Sequence, residues 1–306
     1  MSRPRRLADT GIAWGLACVF AWAVPAGAQV FRSGIDLVSV DVSVKSGNRV
    51  VTGLTAGDFR LYDNGVLQTV EAVSIEDVPI DVTIFHDTSV SQGGRIESLK
   101  RDIVTVAGLL RPGDRLRLLT FDDQVHDVFG WQRAGSKPDV SGVQMGRISP
   151  VYDALFSALL HNPDIGSRHM VLALTDAEDA GGFVSIETLA AVADRSEAVL
   201  HLVSLDEARL AEPARGVIRQ WNPTRAARTE VASVEKIAVN AGGLVHDEPL
   251  FRNHVVSSFR KAYDDFRQSY VLRYSPRGVA RGGWHDLKVE VARPGNFNVR
   301  ARRGYR

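Results

Sequence analysis

The stretch HMVLALT, His169 to Thr175, carries no acidic or basic residue after its first position and is apolar in its whole interior. A strand of that composition is buried on both faces, which is the condition of a parallel strand covered by helices above and below. Its neighbours follow the matching grammar. DVTIFH, RLRLLTF, VHDVFGW, AVLHLVSL and the short GLVHD read as strands, and helical stretches fall between most of them. Arg95 to Leu110 places Ile96, Leu99, Ile103, Val106, Leu109 and Leu110 on one stripe, and Pro112-Gly113 stops it. VYDALFSALL, Ile186 to Arg195, Val231 to Asn240 and His254 to Arg267 are the other helices, with Gly242-Gly243 behind the fourth. The alternation predicts an α/β fold with a doubly wound, mostly parallel sheet over residues 79–268.

The flanks obey a different period. IDLVSVDVSV, Ile35 to Val44, alternates apolar and polar residues, as a half-buried strand does. RVVTGL is a short strand, and FRLYDNGVLQTVEAVSI is a hairpin around Asn64-Gly65, a pair that favours the type I′ turn. After Gln268 the β pattern returns in SYVLRYS, WHDLKVEVAR and FNVRARRGY. Residues 29–78 and 269–306 each hold too few strands to be stable alone. The expectation is that they pair into one small antiparallel β-sandwich, with the α/β domain inserted between them.

Residues 1–28 stand apart. Arg3, Arg5 and Arg6 are followed by an uncharged run whose centre is IAWGLACVFAWAV, and Ala26-Gly27-Ala28 supplies a small-residue cleavage pattern. This reads as a secretory signal peptide cut before Gln29; the alternative is an uncleaved amino-terminal anchor. Cys18, the single cysteine, lies in that segment. The remainder has no thiol chemistry and no disulfide, so an exported chain of this kind relies on its core. The net charge of +1 gives no reason to expect a polyanionic partner.

Three segments should reach the carboxyl-terminal edge of the parallel sheet, where ligands of open α/β sheets bind. They are Asp87-Thr88-Ser89-Val90-Ser91, RISPVYDAL with Ser149, and TDAED with Asp176. Asp87, Ser89, Ser91, Ser149 and Asp176 are oxygen donors, and no His or Cys belongs to the set. Such a set suits a small hard cation, Mg²⁺ first and Mn²⁺ or Ca²⁺ as alternatives, because Mg²⁺ keeps waters and takes only one or two carboxylates. Ser149-Pro150 also reads as a helix N-cap with Pro at the first helical position. His86 reads as a strand-end histidine with a backbone partner, Asp122-Asp123 as a solvated turn, and the basic tail as a charged edge strand.

DTSVS resembles the DxSxS motif of von Willebrand factor A domains, ISPVYDAL resembles that family's second loop, and TDAED its third. The resemblance implies a metal-ion-dependent adhesion site on Asp87, Ser89, Ser91, Ser149 and Asp176. Ser149 stands where the family commonly has Thr, and Ala177 where it has Gly. The flanking GLTAGDFRLYDNGVLQTV and the closing RARRGYR are similar to exported bacterial proteins of this kind, often acidobacterial. The resemblance implies binding of a protein partner through its Asp or Glu carboxylate, with a shift of the last helix, and a place in the periplasm, at the cell surface or outside the cell. Neither nucleic acid nor a membrane span beyond the leader is expected. No GxSxG, HExxH or P-loop occurs, so no catalytic residue is assigned. A metal-dependent envelope hydrolase and a structural envelope module with a non-functional site are the competing readings.

Overall fold

The structure is a computed structural model that describes residues 37–75, 78–89, 96–160, 166–205, 225–246 and 254–306. The expected leader, Ser91 and the loop ahead of the last helix lie outside the described residues.

The first flank supplies β1 (Val38–Ser46), β2 (Arg49–Val50), β3 (Phe59–Asp63), β4 (Val66–Gln68) and β5 (Ala72–Ser74). The middle of the chain supplies β6 (Ile80–Asp87), α1 (Ile96–Ala107), β7 (Arg115–Phe121), β8 (Val125–Arg133), α2 (Val151–Leu159) and β9 (Arg168–Thr175). It continues with α3 (Ile186–Ala193), β10 (Val199–Ser204), α4 (Arg225–Asn240), β11 (Val245–His246) and α5 (His254–Arg267). The second flank is β12 (Tyr270–Tyr274), β13 (His285–Val291), β14 (Asn298–Ala301) and β15 (Gly304–Tyr305).

The central sheet runs β11-β10-β9-β6-β7-β8, parallel throughout except for β8, which returns antiparallel to β7. Every residue of β6, β9 and β10 is buried. The physical reason is the two-sided cover. Ile80, Val82, Ile84, Met170, Leu172 and Leu174 pack with Leu99 and Ile103 of α1 and Phe259 and Phe266 of α5. The alternate residues Phe85, Phe121, Val171, Ala173, Leu200 and Leu202 pack with α2, α3 and α4. Fully burying each large side chain contributes about 1.5–3 kcal/mol, which is why a continuous apolar strand is stable here.

The flanks form two antiparallel sheets. One is ordered β14-β1-β12-β5, with β2 attached to β1, and the other β15-β13-β3-β4. Strands from opposite ends of the chain therefore pair directly, Val40 opposite Leu272 and Leu61 opposite Val289. Val40, Val42, Val44, Phe59, Leu61, Tyr270, Leu272, Tyr274 and Leu287 fill the space between the sheets. Asn64 and Gly65, at φ 48° and 79°, give the β3–β4 hairpin its I′ turn. Buried Asp63 accepts hydrogen bonds from Tyr274 (2.9 Å) and Tyr305 (3.1 Å) and faces His285 Nδ1 at 2.9 Å.

The polar face of β1 does not meet solvent alone. Asp41 pairs with Arg168 at the start of β9, and Ser43 Oγ (3.0 Å) and Lys45 Nζ (2.6 Å) reach Asp265 of α5. Arg300 of β14 joins Asp265 as well. β14 is the edge strand expected of the basic tail, yet this arginine is largely buried in an ion pair rather than held out as a solvated charge.

Candidate cation-binding site

The chain moves from β6 outward to β7 and β8, and from β9 in the opposite direction to β10 and β11, so the strand order reverses between β6 and β9. Loops leaving two such strands diverge to opposite faces and open a crevice at their carboxyl ends. Asp87 ends β6 and Thr175 ends β9, so both side chains stand at that crevice.

Asp87 is fully buried. Its Oδ2 accepts a hydrogen bond from Ser149 Oγ at 2.8 Å and one from Thr175 Oγ1 at 3.3 Å, while its Oδ1 accepts the Ser89 amide at 2.8 Å. Three separated segments thus meet on one carboxylate. Burial pushes the Asp87 carboxyl above the usual carboxylate range, and the hydroxyl and amide donors from Ser89, Ser149 and Thr175 pull only partly against it. Among the described residues no cationic side chain pairs with it.

Each loop is braced by backbone bonding. Thr88 donates both its amide (2.9 Å) and its hydroxyl (3.0 Å) to the Phe121 carbonyl, locking the turn after β6 to β7. The loop that carries Ser149 hangs on Asp123, whose Oδ1 accepts the Arg147 and Ile148 amides at 3.0 and 2.9 Å. In the same loop the Gly146 amide donates to the Thr88 carbonyl at 3.1 Å. A Cβ on Gly146 would stand 2.1 Å from the Asp122 Cβ, so only glycine permits this approach. Asp122-Asp123 is therefore a brace and not merely a solvated turn, and no local periodicity announces that.

Ser149 is not the cap of α2. Pro150 occupies the N-cap position, without a side-chain cap bond, and the Ser149 hydroxyl turns to Asp87 instead. The third loop holds Ala177 at φ 62°, where its amide donates to Thr175 Oγ1 at 3.0 Å. The left-handed region costs a non-glycine residue about 1–2 kcal/mol, a strain that the surrounding contacts must hold. Asp176 Oδ1 accepts the Glu178 amide at 3.2 Å. The loop is tied back by Ala180, whose amide donates to the Ser149 carbonyl at 2.8 Å. Asp179 accepts the Tyr152 amide (2.9 Å) and Asp153 the Val184 amide (2.6 Å).

The structure therefore brings Asp87, Ser149 and Thr175 into contact, with Ser89 joined through its backbone. It places Asp176 one residue beyond Thr175, with its carboxylate engaged by its own loop. Ser91 lies outside the described residues. Thr175 was not singled out from the sequence; its position ahead of Asp176, at the end of a buried strand, is the signal that points to it. His86 turns Nδ1 to the Asp87 carbonyl at 2.5 Å.

The surroundings are acidic. Burial, with Asp153 and Glu230 nearby, raises the Asp179 carboxyl, and burial with Glu230, Asp179 and Glu187 pushes Tyr152 up to about 12. Among the described residues no three His, Cys, Asp or Glu side chains form a metal-holding group. Any cation here would have to take hydroxyl and water oxygens beside one or two carboxylates. That is a Mg²⁺-type donor set, and the buried Asp87 with two hydroxyls on one oxygen fits it.

No family model and no curated protein matches the sequence. Solved structures resemble it at low overlap. The ArnB paralogue VWA2 from Sulfolobus acidocaldarius is 12% identical with a TM-score of 0.43, over 69% of this chain and 52% of the other, so the chain spans about half of that protein. An aerotolerance-related membrane protein from Bacteroides fragilis, 17% identical, has a TM-score of 0.42 over 62% of this chain and 99% of its own. A von Willebrand factor type A protein from Catenulispora acidiphila, 11% identical, has a TM-score of 0.44 over 88% and 73% of the two chains.

Proposed function

We propose that this chain is a cation-dependent protein-binding module of the cell envelope. In this reading Asp87, Ser89, Ser149 and Asp176, with Ser91 of the same DxSxS segment, would hold a Mg²⁺-type ion directly or through water. The ion would supply an electrophilic position for an Asp or Glu carboxylate of a partner protein. The observation that carries the reading is the convergence of Ser149 and Thr175 on Asp87, a buried carboxylate with no cationic partner among the described residues. A buried carboxylate is costly unless a cation or several donors face it. Recruiting a divalent ion relieves that cost and leaves room for one more oxygen ligand. Export, as the leader pattern implies, would place the module in the periplasm, at the surface or outside. No helix among the described residues is long and apolar enough to cross a membrane.

The test is a thermal titration of the full chain with Mg²⁺ and Mn²⁺, paired with capture of envelope proteins in Mg²⁺ or excess chelator. The expected result is saturable stabilisation by the ion and chelator-sensitive capture, both lost in Asp87→Ala while the circular dichroism spectrum is kept. Capture that is equal with and without chelator would sink the proposal.

A further inference from the structure

At the opposite end of the sheet, beneath the amino-terminal ends of β9 and β10, a cleft of about 400 Å³ opens against the polar face of β1 and β12. That volume lies within the roughly 300–1,000 Å³ range of small-molecule sites. Arg168, Arg273 and Arg302 line it, against the two carboxylates Asp41 and Glu197. Asp41 is already engaged by Arg168, and Glu197 is exposed with Ser39 and Gly166 at the cleft's solvent side.

Arg168 carries a buried positive charge in the wall of the cleft. It is only 8% exposed. Its Nη2 donates to Ser269 Oγ at 2.6 Å and to Asp41, and its plane stacks 4.1 Å over the Phe266 ring. Its Nε and Nη1, both buried, have no hydrogen-bond partner among the described residues. Buried guanidinium donors are normally satisfied, and an unmade bond to a charged group costs free energy. Arg302 has carboxylates nearby but no direct ion pair among the described residues. Its Nε and Nη2 donate to the Gly304 (2.8 Å) and Asp194 (3.1 Å) carbonyls, and among the described residues it bonds no carboxylate. Val199, Ala241 and Val271 supply an apolar wall.

We propose that this cleft binds a small organic oxyanion, a carboxylate or a phosphate monoester. Its charged end lies on Arg168 and Arg302, and its apolar body lies against Val199, Ala241 and Val271. Guanidinium donors match both anions: Arg168 sets a buried positive charge in the wall of the cleft, and Arg302, whose Nη1 bonds nothing among the described residues, supplies the open donor. The site is remote from Asp87 and independent of the cation reading.

The test uses the full chain carrying Asp87→Ala, so that no anion is captured through a metal at the other end. Phenyl phosphate, benzoate and inorganic phosphate are titrated by calorimetry, and the arginine Nε–Hε resonances are followed by NMR. The expected result is saturable binding of one phenyl phosphate or benzoate per chain, tighter than inorganic phosphate. The tighter of the two names the class. The Arg168 and Arg302 signals shift, while that of Arg293, paired with Asp58 in the sandwich, stays. Arg302→Gln weakens binding about tenfold or more. Ser39→Asp, at an exposed position that leaves folding intact, also weakens it. Absence of saturable binding by all three probes, binding without movement of the two arginine signals, or undiminished affinity in Ser39→Asp overturns the proposal.

Discussion

At Asp87 the proposed function and the stability of the fold pull in opposite directions. Its carboxyl is raised by burial, so in the absence of a cation the ionised form is disfavoured in the folded state. Asp87→Asn keeps the acceptor for the Ser89 amide and removes the buried charge. We expect the metal-free variant to be as stable as the parent or more so, by about 1 kcal/mol, while Mg²⁺ no longer raises its melting temperature. Parallel melts with and without Mg²⁺ check both halves. His201 is a second buried titratable group. It is fully buried, its Nε2 has no partner among the described residues, and its Nδ1 lies 3.4 Å from His246 Nε2. Burial, with Arg300, His246 and Lys45 nearby, holds it well below the ordinary 6.5. The unfolded chain then binds the proton that the folded chain refuses, so stability falls as pH drops below about 6.5. The slope from this one group is at most about 1.4 kcal/mol per pH unit. Denaturant melts between pH 7.5 and 5.5 measure it, and His201→Leu is expected to flatten it.

At the scale of elements, the last helix shows where the parts are fastened. The sequence placed it over His254 to Arg267, and α5 has those bounds. Its carboxyl-terminal turn is held by Asp114, which accepts Arg267 Nη2 at 2.6 and 2.7 Å, the Tyr263 hydroxyl, the Ile80 amide (2.8 Å) and the Arg111 amide (3.0 Å). One carboxylate thereby ties α5 to the start of β6 and to the α1–β7 turn. A helix shift linked to binding has to break this cluster or pivot about it. Asp114→Ala leaves Arg267 buried without its counter-charge, and the expected loss is about 3–5 kcal/mol, read from denaturant unfolding. A loss under 1 kcal/mol would show that the clamp contributes little. The helix itself was legible because its apolar stripe repeats at helical period; the clamp was not, since Asp114 and Arg267 are far apart in sequence and neither interrupts a pattern.

At the scale of the molecule, the sandwich is closed by both ends of the chain. β1 lies between β12 and β14, and β3 pairs with β13. A chain ending at Gln268 loses β12 and β14 from beside β1, keeping the two-residue β2, and exposes Val40, Val42 and Val44. We expect that truncation to lose cooperative unfolding and to aggregate, whereas the full chain unfolds with coincident near- and far-ultraviolet dichroism transitions. A truncated chain that still melts in one sharp transition would show that the flanks are not a shared unit.

The sequence by itself determined the class of the fold, because the switch from period-two strands to continuous apolar strands separated by helical stripes is a local pattern of side-chain burial. It also supplied the oxygen-bearing segments at the sheet's edge, since strand ends can be located from where an apolar run stops. What only the tertiary structure decided is which polar groups meet. Ser149 turns to Asp87 instead of capping its helix, Asp123 carries the loop behind it, and Asp41 faces Arg168 instead of water. These contacts join residues far apart along the chain, and their energies depend on distance and burial. Neither quantity is written in a hydrophobic period.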